Sequence, residues 1–492
     1  MKQKVSIIGA GFSGLSSASV LAQEGFEVHV FEKHNIPGGR ARKFSENGFT
    51  FDMGPSWYWM PDVFERFFNR FGKKTEDFYT LERLDPAYRV FYGKDDYLDV
   101  PSGRENIIQL FESIEKGSGE KLDKYLQQAE YKYQAGVNDL VYKPALSFTE
   151  FLKLRYLKDL FRLDLFKTMD HYVKENFRDP RIYPLLQFPV IFLGATPKRT
   201  PALYSLMNYS DFELGTWYPK GGMYQVVEAM YQLAESLGVI FHFNSEVTEI
   251  QINKNRIEAI VINGEKFMTD FLIASADYRF VEQKLLPAPY RKYSEKYWES
   301  REMSPSSLIF YLGINKKLQQ FRHHTLFFHE SFEQHANAIF EHPEWPEKPL
   351  LYTSCTSMTD PSTAPEGMEN LMVLIPVASG LKDTEETRNK YYQLILNELE
   401  RLTGQNIRDH VVFKKIYAHN DFEKDYHAFK GNAYGLGNTL MQTAFLKPSI
   451  RNKKLPNLLY TGQLTTPGPG VPPTIISGQV VSDYLIKNHL KR

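Results

Sequence analysis

The feature that most constrains this chain is a glycine turn set between two apolar runs near its start. Val5-Ser6-Ile7-Ile8 reads as a strand and Gly9-Ala10-Gly11-Phe12-Ser13-Gly14 as a turn; Leu15 to Glu24 reads as a helix, and Val28-His29-Val30-Phe31 as a second strand ending at Glu32. Strand, turn, helix, strand and acid in this register describe a βαβ unit that holds a dinucleotide. Gly9 permits the tight turn, Gly11 lets the backbone approach a pyrophosphate, and Gly14 lets the helix pack closely on the sheet. Phe12 and Ser13 open that helix, whose free N–H groups and positive end face the phosphates. Glu32, with Lys33 beside it, sits where a carboxylate accepts both ribose hydroxyls, which disfavours a 2′-phosphate and hence NADP.

The residues that follow decide which dinucleotide. Pro37-Gly38-Gly39-Arg40 and then Phe51-Asp52-Met53-Gly54-Pro55-Ser56 bring backbone and a guanidinium back to the same ligand. This continuation resembles the FAD-binding start of the amine-oxidase and carotenoid-desaturase flavoproteins. The resemblance implies FAD, with Gly39, Arg40, Gly54, Pro55 and Ser56 joining Gly9, Gly11, Phe12, Ser13, Gly14, Glu32 and Lys33 around it.

The 492 residues leave room for two or three domains. Lys and Arg balance Asp and Glu at 59 each, so the global charge exerts no pull toward nucleic acid. Phe (36) and Tyr (30) are abundant enough to line a long apolar pocket, or simply to fill an aromatic core. The single cysteine, Cys355, excludes an internal disulfide, a CxxC pair and a cysteine-based metal site, and points to a reducing compartment. The first strand begins within a few residues of Met1, so no signal peptide is expected. No window offers the ~18 uninterrupted apolar residues of a membrane span. The expectation is a protein that is cytosolic, or that lies on a membrane without crossing it.

Along the chain, Pro61 to Gly72 predicts a short amphipathic helix, Tyr88–Tyr92 with Asp96–Val100 a hairpin, and residues 104–135 helical spacing. Phe151 to Phe166 is crowded with Leu and Phe and carries Lys153, Arg155, Lys158 and Arg162. It reads either as an interfacial anchor through which a lipid enters or as two short helices capping a core. Phe188-Pro189-Val190-Ile191-Phe192-Leu193-Gly194 reads as an apolar loop or helix end. A helix from the Gly221-Gly222 pair through Leu237 precedes strand-like runs at Val239–Phe243, Val247–Ile250, Ile257–Ile262 and Phe271–Ala274. These look like the return of the chain to the nucleotide domain, with Val247 beside the adenine and Ala276-Asp277 near the phosphates.

Strand candidates Leu308–Gly313, Leu350–Ser354, Leu371–Val377 and Val411–Ala418, interrupted by a helix at Glu386–Leu402, fit an antiparallel sheet packed on one face. Leu458 to Pro472 reads as strand and glycine loop, followed by a helix from Pro473 that turns its N–H groups to the flavin. The fold expected is therefore α/β. A Rossmann-like FAD-binding domain from residues 1–85, 218–285 and 451–492 interleaves with an α+β substrate domain from 86–217 and 286–450 that carries an antiparallel sheet.

Tyr434-Gly435 with Gln442-Thr443-Ala444-Phe445-Leu446-Lys447-Pro448, and Thr466-Pro467-Gly468-Pro469-Gly470-Val471-Pro472 further on, resemble the closing blocks of the bacterial phytoene desaturase family, the CrtI-type carotenoid desaturases. The matching pieces run from residue 5 to about 485. Amine oxidases usually carry Asp after the glycine matching Gly462; here Gln463 stands there. The resemblance implies noncovalent FAD, with Gly462, Gly470 and Val471 at the flavin and Val247 and Asp277 along the cofactor. It also implies an apolar tunnel for a linear polyene and attachment to a membrane surface. The reaction implied is desaturation of phytoene toward lycopene, by hydride transfer to flavin N5 and loss of a neighbouring proton.

No residue is singled out to take that proton, and His323-His324-Thr325 with His329 lacks the carboxylate or cysteine spacing of a metal site. No second glycine fingerprint exists for a nicotinamide, so a quinone or oxygen is the expected electron acceptor. The alternatives are a desaturase of a hydroxylated or cyclic carotenoid at the 3,4 bond, a carotene isomerase, or a carrier of prenylated proteins like the GDP-dissociation inhibitors. The intact glycine fingerprint argues against the last.

Overall fold

The computed structural model describes residues 2–137, 140–147, 150, 163–191 and 193–489. Two sheets organise it. The first is parallel, with strands in the order Leu458–Tyr460, Phe271–Ala274, Lys4–Ile8, Glu27–Phe31 and Ile240–His242. Its central strands are almost continuously apolar because helices cover both faces. Helices Phe12–Gln23 and Val471–His489 pack backbone to backbone, since the contact is made of small residues: Ser16 Oγ donates to the Ile475 carbonyl at 2.7 Å and Ser17 Oγ to that of Gly478 at 3.1 Å. Tyr224–Ser236 is a third helix of this body, ending at Gly238 in a left-handed turn. A meander of Val247–Asn253, Arg256–Ile262 and Glu265–Met268 is attached to it.

The second sheet has seven strands, ordered Val411–Tyr417, Ser306–Ile314, Glu369–Val377, Leu351–Ser354, His324–Phe327, Tyr88–Gly93 and Asp96–Val100. Two features depart from the sequence reading. His324–Phe327, read as part of a histidine-rich patch, is a strand, and it pairs parallel with the Tyr88–Gly93 hairpin strand, the one parallel ladder among the described strands of this sheet. The middle of the sheet is also buried on both faces rather than one. Every residue of Ser306–Ile314 and of Glu369–Val377 is buried. Leu308, Phe310, Val373 and Ile375 pack under helix Glu385–Thr403 through Tyr391, Ile395 and Leu399, while Ile309, Tyr311, Met372 and Leu374 face the other core. The helix was expected; that it seals the second face was not.

The helical spacing at 104–135 is two helices, Arg104–Ile114 and Ser118–Val137, broken where Gly117 turns left-handed. Pro61–Asn69 is helical as expected. The segment Phe188–Ile191 is the last turn of helix Ile182–Ile191. Most of the Phe151–Phe166 anchor candidate lies outside the described residues.

Candidate active site

The carboxyl ends of all five parallel strands open on one cavity of about 410 Å³, within the ~300–1,000 Å³ range of ligand pockets. The residues that follow the strands line it in turn: Gly9 after the first, Glu32 after the second, Ser245 and Val247 after Ile240–His242, Ser275 to Asp277, and Gly462. This is where parallel α/β sheets bind ligands, because helix N-termini and free backbone groups converge there.

Of the residues predicted for the site, Gly9, Gly11, Phe12, Ser13, Glu32, Lys33, Gly39, Arg40, Gly54, Pro55, Ser56, Val247, Asp277, Gly462, Gly470 and Val471 all line this cavity. Gly14 does not. A Cβ on it would lie 2.1 Å from the Gly9 carbonyl oxygen, so it serves the helix–sheet packing behind the turn. Gly11 behaves oppositely: a Cβ there meets no protein atom within 4 Å, so the backbone faces open cavity. Gly39, left-handed at φ 54°, packs against Gly11, and Gly54 packs against the Arg40 carbonyl, which draws the second glycine pair over the first turn.

Each Glu32 carboxylate oxygen accepts one backbone N–H, from Ala10 at 2.9 Å and from His34 at 3.0 Å, leaving a lone pair on each for a ligand hydroxyl. Lys33 lines the same end, but its amine is engaged by the Lys424 carbonyl at 2.9 Å and stands 4.0 Å from Glu246. Phe280 and His427 stack face to face there, centroids 3.8 Å apart, with His427 bonded to Glu246 at 2.7 Å. The sequence offered no signal for this pair, which comes from segments almost 150 residues apart in the chain.

At the opposite side of the turn, Arg40 donates to the Asn432 carbonyl at 3.3 Å. With its amide oriented oxygen-inward, Gln463 accepts from both Arg40 terminal nitrogens, at 2.9 and 3.1 Å. Gln463, noted in the sequence for not being Asp, is thus the neutral partner of a buried cation. Burial pulls the Arg40 guanidinium below its usual range and pushes the Asp277 carboxyl above its own. Arg40 Nε and Asp277 Oδ2 are buried without a protein partner. Asp277 Oδ1 caps the Phe280 N–H at 3.0 Å. Unmet donors and acceptors around side-chain-free glycines suit a polar, phosphate-bearing cofactor. Helix Val471–His489 starts two residues earlier than predicted. Pro472 and Pro473 remove two N–H groups, so Val471 carries the N–H of the opening turn.

Beyond Ser56 the lining turns apolar: Met53, Trp57, Trp59, Phe188, Leu193, Met207, Ile309 and Leu374. Two polar networks hold these walls. Tyr352 Oη bonds to Ser56 Oγ at 2.7 Å and to His324 Nδ1 at 2.8 Å, while the His324 ring stacks on Trp57 with centroids 4.0 Å apart. Trp59 Nε1 donates to Thr216 Oγ1 at 2.8 Å, which donates to Asp211 Oδ1 at 3.0 Å; Tyr88 donates to Asp211 Oδ2 at 2.9 Å. Burial drives the His324 imidazole far below its ordinary range, so the ring is neutral. His323 bonds Thr359 and His329 pairs with Glu398, so the histidine patch disperses. Among the described residues no group of three or more His, Cys, Asp and Glu could hold a metal.

The fold and the family can be placed by comparison. The pattern of the flavin-containing amine oxidoreductases matches residues 12–486. The carotenoid 3,4-desaturase of Haloarcula japonica is 39% identical, covering 99% of this chain and 98% of its own. The 4,4'-diapophytoene desaturase (4,4'-diaponeurosporene-forming) of Staphylococcus aureus is 32% identical over 99% of both. Among solved structures, an oxidoreductase from Methanosarcina mazei aligns at TM-score 0.62 with 15% identity over 98% of this chain and all of its own. Putrescine oxidase bound to putrescine aligns at 0.62 with 14% identity over 99% of this chain and all of its own; likeness at that identity shows the fold alone. The chain is an FAD-dependent oxidoreductase of the flavin-containing amine oxidoreductase family, on the branch that holds the carotenoid desaturases.

Proposed function

We propose that this enzyme desaturates a linear C40 carotenoid precursor, carrying phytoene toward lycopene. The observation that carries the reading is the change of character along one continuous cavity. Its strand-end half is built of glycines, Glu32, Arg40 and Asp277; its far half, among the described residues, is lined by aromatic and aliphatic side chains with no Asp, Glu, Lys or Arg. An amine substrate would leave a charge unpaired there, whereas a hydrocarbon leaves none.

In this reading Glu32 holds the ribose, Gly9, Gly11 and the start of helix Phe12–Gln23 hold the pyrophosphate, and Val247 borders the adenine. Asp277 stands near the phosphates, Arg40, Gly54 to Ser56, Gly462, Gly470 and Val471 hold the flavin half, and Gly14 keeps the turn in place. The chemistry FAD supplies when bound is acceptance of a hydride at N5. The chain's share is alignment and exclusion of water: Trp57 and Phe188 grip the hydrocarbon, and Tyr311, donating to the Met53 carbonyl at 2.7 Å, fixes the Met53–Ser56 turn. No side chain is assigned the proton.

The cofactor domain is drawn from 1–85, 218–285 and 451–492, and the substrate domain from the remainder. Exposed Met441, Phe445 and Leu446, close together in the chain, offer apolar side chains to a membrane leaflet, as does exposed Phe166. No described helix is long and apolar enough to cross a membrane. The reading is of a cytoplasmic, peripherally attached enzyme that passes its electrons to a quinone or oxygen.

A second reading, desaturation of a later carotenoid at its 3,4 bond, is favoured by the 39% identity to the Haloarcula enzyme. Incubation with FAD and phytoene in liposomes separates the two. A lycopene-like absorption spectrum is expected. No change with phytoene, but a red shift with a carotenoid already desaturated in its middle, would refute the first reading in favour of the second.

A further inference from the structure

The aromatic lining does not stop at the end of the cavity. The Trp57 and Phe188 rings lie 6.0 Å apart, Phe188 and Phe328 6.1 Å, and Phe328 and Phe332 6.0 Å. Trp57 and Phe188 line the cofactor cavity, whereas Phe328 and Phe332 line a separate surface cleft of about 400 Å³. The cleft lies between helices Met169–Asn176, Ile182–Ile191 and Phe332–Phe340. One pair of rings, Phe188 and Phe328, therefore stands between the two spaces.

The chemistry of the cleft matches the inner cavity once its charges are accounted for. Each charged side chain on its rim has a partner: Lys174 with Asp170 at 2.8 Å, Arg181 with Asp179 at 2.9 Å, Lys198 with Glu333, and Glu330 with Lys348 at 3.6 Å. The uncharged lining is mostly apolar, including Tyr92, Pro184, Phe328, Phe332 and Ala336, with Gln187, Thr196 and Asn337 as its polar members. An ionic ligand would find no free countercharge, but a hydrocarbon chain would find aromatic contact. The wall also has a reason to yield. Pro189 lacks the N–H that would bond the Leu185 carbonyl, so the turn carrying Phe188 is held by one helical hydrogen bond fewer.

A linear substrate adds a geometric requirement. When an internal bond of a long polyene lies at the flavin, one end of the chain must extend past it. The length of that end equals the distance from the reacting bond to the terminus. A channel that stops at Phe188 admits a short end and selects bonds near the terminus; one continuing into the cleft admits a long end and reaches the middle.

We propose that the Phe188–Phe328 pair is a yielding wall across the polyene channel, that the cleft beyond it receives the far end of the substrate when the rings part, and that this pair sets which bond is desaturated. The inference rests on the carotenoid desaturase reading and refines it, because the same wall decides between mid-chain and 3,4 desaturation.

The test uses Asn337→Cys, on the cleft rim. The native Cys355 is fully buried, so a bulky maleimide reacts at the new site. Labelling should shift the products several-fold toward desaturation near the terminus, at unchanged FAD content, and bound polyene should slow the labelling several-fold. Phe328→Trp should act like the label, and Phe328→Ala should move products toward mid-chain desaturation. Identical product distributions before and after labelling and in both Phe328 variants, with no protection by polyene, would overturn the inference while leaving desaturation intact. A wild-type enzyme that desaturates no carotenoid would instead bring down the reading beneath it.

Discussion

Gly11→Ala and Gly14→Ala place the same methyl three residues apart in one turn and should fail in opposite ways. Gly11 has φ −77° and ψ 178°, a conformation alanine adopts freely, and its methyl would meet no protein atom within 4 Å. The apoprotein should therefore be unharmed, or stabilised by about 0.4–1 kcal/mol through the unfolded chain. In the proposed function the methyl would instead stand where the backbone meets the pyrophosphate. Losing one charge-assisted hydrogen bond there costs about 1.5–3 kcal/mol, which is roughly ten- to a hundred-fold in FAD affinity at 1.4 kcal/mol per decade.

Gly14 presents the reverse case. Its methyl would sit 2.1 Å from the Gly9 oxygen and 3.2 Å from the Gly9 carbonyl carbon. Gly9 cannot retreat, because it is left-handed at φ 100° and its N–H bonds the Phe31 carbonyl at 2.8 Å. Overpacking of this kind costs about 1–3 kcal/mol, more than the helix-propensity gain of about 1 kcal/mol for alanine over glycine. Urea unfolding of the two apoproteins, paired with FAD titration followed by flavin fluorescence, separates the effects. Wild-type FAD affinity in Gly11→Ala, or wild-type apoprotein stability in Gly14→Ala, would refute this account of the turn.

Arg40→Met removes the donors to Gln463 and Asn432 but also a buried cation with a neutral partner; FAD affinity should fall about ten- to a hundred-fold with little loss of apoprotein stability, as titration and melting together would show. Tyr352→Phe leaves Ser56 Oγ and His324 Nδ1 without their shared partner, so thermal unfolding should register about 1–3 kcal/mol of destabilisation. Burial pushes the Asp211 carboxyl up to about 7, so the folded protein favours its neutral form. Its contribution is full below the ordinary carboxylate range and is lost as pH rises through about 7; the stability of wild type relative to Asp211→Asn should thus fall between pH 4 and pH 8, by on the order of 4 kcal/mol. A flat difference in paired urea titrations would contradict that sign.

The cofactor half of the site was legible because its chemistry is local. Gly9 to Gly14 and Glu32 lie in one βαβ unit, and Gly39, Arg40 and Gly54 fold back on it within a few turns of chain. Even the remote pieces, Asp277 and Gly462, could be found, since each follows a strand of the same parallel sheet and such strands end at the ligand. Gly14 lies off the cavity yet is as necessary to the turn as its neighbours, because close packing and ligand contact make the same demand for a missing side chain.

The hydrocarbon half was not legible, for a different reason. Trp57 sits one residue past a recognised motif, but what makes it a wall is His324 stacked on it and Phe188 beyond it. His324 reaches that place only because its strand joins the Tyr88 hairpin in parallel, a pairing between segments more than 200 residues apart that no local pattern announces. His323 and His324, neighbours in a patch that lacks the spacing of a metal site, part company where the strand begins, one bonding Thr359 and the other Tyr352. That divergence places one neutral ring behind Trp57, which lines the cavity. In the proposed channel, substrate choice rests on cross-strand and helix-to-sheet contacts such as Phe188 against Phe328, and substitutions there should alter which bond reacts while leaving the glycine turn and its cofactor untouched.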